Sequence, residues 1–213
     1  MCKEKKAEPT IEPAAEVRQW VTAVVLAAGQ GSRMGETKQL LPWGEITVLG
    51  QTLRNMRGSA VHDCLLVSGH EAEAVEAIAR EEGAATVFNP NYAEGEMLSS
   101  LQTAVRHLSD ECAAVLVMLA DQPMVEPETI DRILIAFWQK RSDLVAPTYQ
   151  RQRGNPVLIG RRYFEELLAL PPGAAPRDLV KRHLDKLYLV EVASDSILRD
   201  LDRPEEYEKW RPC

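Results

Sequence analysis

From Val21 onward, short apolar runs alternate with longer segments of helical period. The runs at 21–27 (VTAVVLA), 64–69 (CLLVSG), 85–89 (ATVFN) and 113–120 (AAVLVMLA) predict strands. So do those at 144–148 (LVAPT), 156–160 (PVLIG), 187–192 (LYLVEV) and 197–201 (ILRDL). Between them, 47–58, 71–82, 97–108, 127–140, 161–169, 176–184 and 204–210 carry the 3.6-residue period and predict helices. Strands that are apolar throughout need cover on both faces. The pattern therefore predicts an α/β fold, with a mostly parallel sheet and helices on either side. Residues 149–156 (YQRQRGNP) break the alternation and predict a loop over the sheet. Residues 1–19 are rich in Glu, Lys, Ala and Pro and lack an apolar period, which predicts a flexible N-terminal arm ahead of one domain, 20–213.

Sheets of this kind bind ligands beyond the carboxyl ends of their strands. The first strand runs into AAGQGSRMGETK, with three glycines, Gly29, Gly31 and Gly35, close to two cations, Arg33 and Lys38. A P-loop requires GxxxxGK[ST], but Gly35 is followed by Glu36 and no glycine precedes Lys38. A dinucleotide fingerprint requires GxGxxG and an acid at the end of the next strand, which here ends Ser68-Gly69-His70. Both motifs fail. What remains is chemistry for a polyanion: Ala27, Ala28 and Gly29 let a base or phosphate approach the backbone, Arg33 can grip a phosphate bidentately, and Lys38 adds a movable charge. The bland alternative is a turn with two solvated cations.

The fourth strand ends in LADQP, so Asp121 follows an apolar run directly. A carboxylate there is costly unless it is paired or holds a cation. A hard metal bridging it to phosphate oxygens fits better than a helix cap, because the next helix starts several residues later, beyond Pro123 and Pro127. In ILRDLDRPEEY, Asp200 and Asp202 would share one face of a strand and could complete a Mg2+ site. Asp202 also precedes Arg203-Pro204, so helix capping is its rival role. Ser68, Gly69, Ser99 and Ser100 put small polar groups near the same rim, suited to a base or ribose, or to capping. His70 and His107 read as surface or core residues, and no Ser-His-Asp or Cys-His arrangement is legible.

Composition narrows the partners. The 213 residues are 45% hydrophobic and 27% charged, with a net charge of -7, which argues against nucleic acid. Any anion site is therefore local. No apolar run approaches the ~18 residues of a membrane span, and the start lacks a signal peptide's apolar centre, so a cytoplasmic location is expected. The four cysteines, Cys2, Cys64, Cys112 and Cys213, show no metal spacing; Cys64 and Cys112 are expected to be buried thiols.

The stretch VVLAAGQGSRMGETKQLLPWG closely resembles the signature LAAGxSxRMGxxKxLLP of the molybdenum-cofactor nucleotidyltransferases. LADQP, RGNPVLI and DLDRPEEY resemble that family's later motifs in the same order, over residues 21 to about 210. The resemblance implies a GT-A-type, Rossmann-like three-layer sandwich that uses Mg2+ to join a nucleoside monophosphate to a phosphorylated acceptor, releasing pyrophosphate. It implies that Gly29, Gly31, Ser32 and Arg33 cradle the triphosphate and that Lys38 neutralises the phosphate under attack. Asp121 would hold Mg2+ with Asp200 or Asp202, and Asn155 and Pro156 would face the acceptor. The AAG form is similar to the cytidylyl branch, which implies CTP and a molybdopterin-type acceptor, with a molybdenum hydroxylase or its chaperone as a further partner. Several cytidylyl members carry histidine where this chain has Asn155, a departure at the position that would face the acceptor. Other readings are a guanylyl or sugar-phosphate transferase, or a nucleotide-binding cofactor chaperone without turnover.

Overall fold

A computed structural model of the chain describes residues 19–29, 37–94 and 96–212. Gly31, Ser32, Arg33 and, apart from Gln19, the expected N-terminal arm lie outside the described residues. In chain order the first elements are β1 (Val21–Leu26), β2 (Pro42–Trp43), β3 (Ile46–Thr47), α1 (Val48–Arg57), β4 (Asp63–Ser68) and α2 (Ala72–Glu81). Next come β5 (Ala85–Phe88), α3 (Glu96–Arg106), β6 (Ala114–Leu119), α4 (Pro127–Trp138), β7 (Leu144–Tyr149) and β8 (Gln152–Arg153). The chain closes with β9 (Val157–Gly160), α5 (Phe164–Leu168), α6 (Pro176–Arg182), β10 (Leu187–Glu191) and α7 (Pro204–Trp210).

Seven strands form a sheet in the order β10-β7-β9-β6-β1-β4-β5, and β8 folds back on β7. β1 lies centrally, parallel to both β4 and β6. β9 runs antiparallel between β6 and β7. Successive side chains on a strand point to opposite faces, and the core divides accordingly. On one face Ala23, Val25, Leu116 and Met118 pack with Leu49, Leu53 and Met56 of α1 and with Ile130, Ile133 and Phe137 of α4. On the other, Val24, Leu26, Val115 and Val117 pack with Leu98 and Leu101 of α3, Leu167 of α5 and Leu179 of α6. The fold is thus the expected three-layer α/β sandwich.

Three departures from the sequence pattern bear on the site. The segment 197–201 is not a strand: Asp195–Leu198 forms a 3-10 turn, and the backbone that follows pairs with no strand. Its amides bond to loops instead, Leu201 N donating to Asp121 O at 3.3 Å. The loop 149–156 contains the short hairpin strand β8, turned by Gln150 and Arg151 at φ 49° and 67°. Finally, the β2–β3 hairpin leads into α1, whose start is capped by Thr47 Oγ1 accepting from Gly50 N at 3.0 Å.

Cys112 is buried as expected, whereas Cys64 is half-buried, and both are free thiols. No helix among the described residues is long and apolar enough to cross a membrane.

Candidate active site

The site forms where β1 and β6 end side by side. Leu26 pairs with Leu119 in parallel register, and Ala120 N donates to Leu26 O at 3.2 Å. This register sets Ala27, Ala28 and Gly29 beside Asp121, although the two stretches are far apart in sequence. Ala27 and Ala28 are buried and held by backbone: Ala27 N donates to Val67 O at 3.0 Å and Ala28 O accepts from His70 N at 3.2 Å. Gln39 adds its Nε2 to Ala27 O at 3.1 Å. At Gly29 a Cβ would meet no described residue within 4 Å, which leaves space there that a ligand can use. That space is a cavity of about 420 Å³, with Lys38, Asp121, Asp200 and Asp202 at its charged end.

Lys38, at the start of the 3-10 turn Lys38–Leu40, donates to Asp121 Oδ2 and, at 2.6 Å, to Asp202 Oδ1. Burial opposes the charge of Lys38, but Asp121 and then Asp202 outweigh it and hold the ammonium above the usual lysine value. Asp121 is not a helix cap, since α4 begins at Pro127 behind Glu126. Nor is Asp202: the start of α7 is covered by Glu206, whose Oε2 accepts from Asp202 N and Arg203 N, both at 3.0 Å. The side chain of Asp202 is left to pair with Lys38. Asp200 accepts from Gln122 Nε2. Burial and then the charge of Asp121 push the Asp200 carboxyl above its ordinary value, against that hydrogen bond. A strand would have brought Asp200 and Asp202 to one face. Here they reach the same cavity through the bond from Leu201 N to Asp121 O, which lies between them.

A divalent metal fits this donor set. Among the described residues no three His, Cys, Asp or Glu side chains are grouped to hold an ion unaided. Asp121 Oδ1, however, is buried and has no hydrogen-bond partner among the described residues. An orphaned hard oxygen with one further carboxylate is the set that Mg2+ takes when substrate phosphates and water fill its remaining positions. The ammonium of Lys38 now sits on the other oxygen of Asp121.

The remaining expected residues divide. Ser100 lines the cavity. Its Oγ, like that of Ser99, accepts from buried Asn89 Nδ2, at 3.0 and 2.8 Å. Ser68 does not face the ligand space: it is buried and donates to Glu76 Oε1 at 2.5 Å, bracing α2. Gly69 serves close packing, because a Cβ there would lie 2.6 Å from Tyr92 Cβ and 2.8 Å from Ala28 Cβ. A second cavity, also about 420 Å³, adjoins the first, sharing Met97 and Leu119 as walls. Asn155 lines it, whereas Pro156 is buried and does not. Gln39, Tyr92 and Met97 also line the first cavity and were missed in the sequence. Tyr92 follows β5, so the rule of looking beyond strand ends would have found it.

The residues 23–187 match the model of the MobA-like NTP transferase domain. The chain is 28% identical to the molybdenum cofactor cytidylyltransferase of Escherichia coli K12, over 88% of this chain and 93% of that one. It is 30% identical to nicotine blue oxidoreductase of Paenarthrobacter nicotinovorans, over 87% and 94%. The crystal structure of Rv0371c from Mycobacterium tuberculosis H37Rv superposes with a TM-score of 0.79 at 29% identity, covering 91% of this chain and 97% of that one. The same protein in complex with manganese superposes with a TM-score of 0.71. With Gly29, Lys38 and Asp121 lining one cavity, the chain belongs to the MobA-like NTP transferases and is a nucleotidyltransferase.

Proposed function

We propose that the protein transfers CMP from CTP to the phosphate of a molybdopterin-type acceptor and releases pyrophosphate. The observation that carries this reading is the cluster of Lys38, Asp121 and Asp202 in a nucleotide-sized cavity that adjoins a second one. The similarity to the Escherichia coli cytidylyltransferase over most of both chains supports the base and the acceptor.

An acceptor phosphate is already anionic, so its oxygen can attack the α-phosphorus without a general base, as the bond to the leaving pyrophosphate breaks. What the protein must supply is position and positive charge. Lys38 would turn from Asp202 toward the α-phosphate, and Arg33 would hold the triphosphate. Asp121 Oδ1, with Asp202 or Asp200, would hold Mg2+, which supplies charge against the triphosphate oxygens. The manganese complex of the mycobacterial relative supports a divalent ion in this frame. Ala28, which lines the cavity, would put a methyl group against the base and favour a pyrimidine.

The similarity to nicotine blue oxidoreductase favours a second reading, in which the same frame carries redox chemistry. Hydride transfer has no need of the paired carboxylates and lysine. The experiment is pyrophosphate release with each of the four NTPs, with and without molybdenum cofactor, alongside NADH and NADPH oxidation. CTP is expected to be used in strong preference and only with the pterin. Equal use of GTP overturns the base, turnover with sugar phosphates alone overturns the acceptor, and nicotinamide oxidation without pyrophosphate release overturns the transferase.

A further inference from the structure

Counted over the described residues, the two adjoining cavities have opposite charge. The first is lined there by three carboxylates, Asp121, Asp200 and Asp202, against one lysine. No acidic residue is among the described residues lining the second, which carries two guanidiniums, Arg153 and Arg177. Neither guanidinium has a hydrogen bond or ion pair with another described residue. Asp178, next to Arg177, feels its charge but makes its hydrogen bonds elsewhere, accepting from Ala175 N at 2.8 Å and Lys181 Nζ at 3.3 Å. In a chain of net charge -7 the acids were available to neutralise these arginines, and they do so for Arg161, Arg162 and Arg182.

The floor of the second cavity is apolar. Val117 and Leu119 lie on one face of β6, and Val157 and Ile159 on the matching face of antiparallel β9, with Val117 opposite Val157. Val180 and Pro176 of α6 line the cavity as well. The strap bearing Arg153 is held in place: Gly154 N donates to Pro147 O and Asn155 N to Ile197 O, both at 3.1 Å. A Cβ on Gly154 would lie 2.2 Å from Ile197 O, so the strap lies against the 3-10 turn with no room between them.

We propose that Arg153 and Arg177 are the specificity-determining residues of this second cavity, which binds a ring compound bearing an anionic group. The aliphatic floor takes the ring and the two guanidiniums take the anion. This deepens the proposed function, and rests on it only in identifying the ligand as the transferase's acceptor. A neutral acceptor would leave both guanidiniums without a partner. Phosphate alone would leave the aliphatic floor uncovered.

The test is a fluorescence titration of the full chain, without nucleotide, using pterin-6-carboxylate, neutral 6-hydroxymethylpterin and inorganic phosphate. The carboxylate is expected to bind at least ~10-fold more tightly than either of the others. Arg153→Ala and Arg177→Ala should each weaken it by about 10-fold, and the double variant should erase the preference for the anion. Binding of Mg2+ with CTP should stay within about twofold in the same variants, and circular dichroism should be unchanged. Equal affinity for charged and neutral pterin, or an unchanged preference in the folded double variant, overturns the proposal. So does binding of phosphate as tight as that of the carboxylate. If the wild type fails to release pyrophosphate from CTP while arginine-dependent pterin binding persists, the transferase reading falls and the subsite stands. If pyrophosphate release is normal and the double variant leaves the acceptor KM unchanged, the subsite falls alone.

Discussion

Lys38 Nζ and Asp202 Oδ1 lie 2.6 Å apart across 164 residues of chain, and the same ammonium also reaches Asp121. The lysine therefore occupies the place of a cation between two carboxylates, and it must turn away for a metal-bound triphosphate to be served by the same groups. Lys38→Met is expected to cut turnover by ~10²–10³, the usual effect of losing one charge that acts on the transition state. In the nucleotide-free protein it should tighten Mn2+ binding by roughly 10-fold, because the competing ammonium is gone. Electron paramagnetic resonance reads the free Mn2+. Unchanged affinity would mean that the ammonium does not compete with the metal for these carboxylates.

Asp121→Asn keeps the shape and removes the charge from the one carboxylate that has a buried, unpartnered oxygen among the described residues. Turnover should fall by ~10²–10³ with the circular dichroism spectrum unchanged. A folded variant with near-normal, metal-dependent turnover would place the metal elsewhere.

Gly154→Ala must push the strap away from Ile197 O, which would lie 2.2 Å from the new Cβ. An overpacking cost of about 1–3 kcal/mol is expected, lowering Tm by about 2–4 °C per kcal/mol for a chain of this size. CTP affinity should hold, while KM for the acceptor rises, because Arg153 and Asn155 move with the strap. Wild-type Tm and KM together would show that the strap accommodates the methyl group.

Burial, partly offset by Arg57, pushes the Cys64 thiol up to about 12. The folded protein should therefore leave Cys64 unalkylated by iodoacetamide at pH 8, as read by peptide mass mapping, and modify it once denatured. An unfolded thiol ionises near ~8.5. From that pH upward the unfolded chain releases a proton that the folded one keeps, so this group lowers stability as pH rises toward 12 and costs nothing at neutral pH. Denaturant midpoints should fall more steeply above pH 9 in the wild type than in Cys64→Ala. Parallel slopes would show that the thiol ionises equally in both states.

Much of the fold is legible because most of its strands and helices keep one period long enough to be read locally. VTAVVLA and AAVLVMLA become β1 and β6, and the helical periods at 47–58, 71–82 and 127–140 become α1, α2 and α4. ILRDL misleads for a physical reason. Ile197 and Leu201 are buried as a strand's residues would be. Yet Ile197 O accepts from Asn155 N, and Leu201 N donates to Asp121 O, so its backbone partners are loops rather than a ladder. No local pattern announces such partners. The direction of β9 is hidden for the same reason, since an apolar run reads alike whether its neighbours run with it or against it.

The sequence by itself determined the alternation of strands and helices and where to look for chemistry: an apolar strand followed by small residues and cations is suited to a polyanion, and an aspartate directly after the fourth apolar strand is suited to a cation. Only the tertiary structure decided how those groups meet. Asp202 could have capped α7, but Glu206 does so, and Asp202 is thereby released to Lys38. Ser68 could have faced the base, but Glu76 holds it inward. Arg153 and Arg177 lie in unrelated stretches, with no shared motif, and become a pair only because β8 and α6 are brought to the same cavity. Local pattern is set by solvation of each short segment alone. Which polar group answers which is a competition among partners distant in sequence, and it is settled only when the chain has packed.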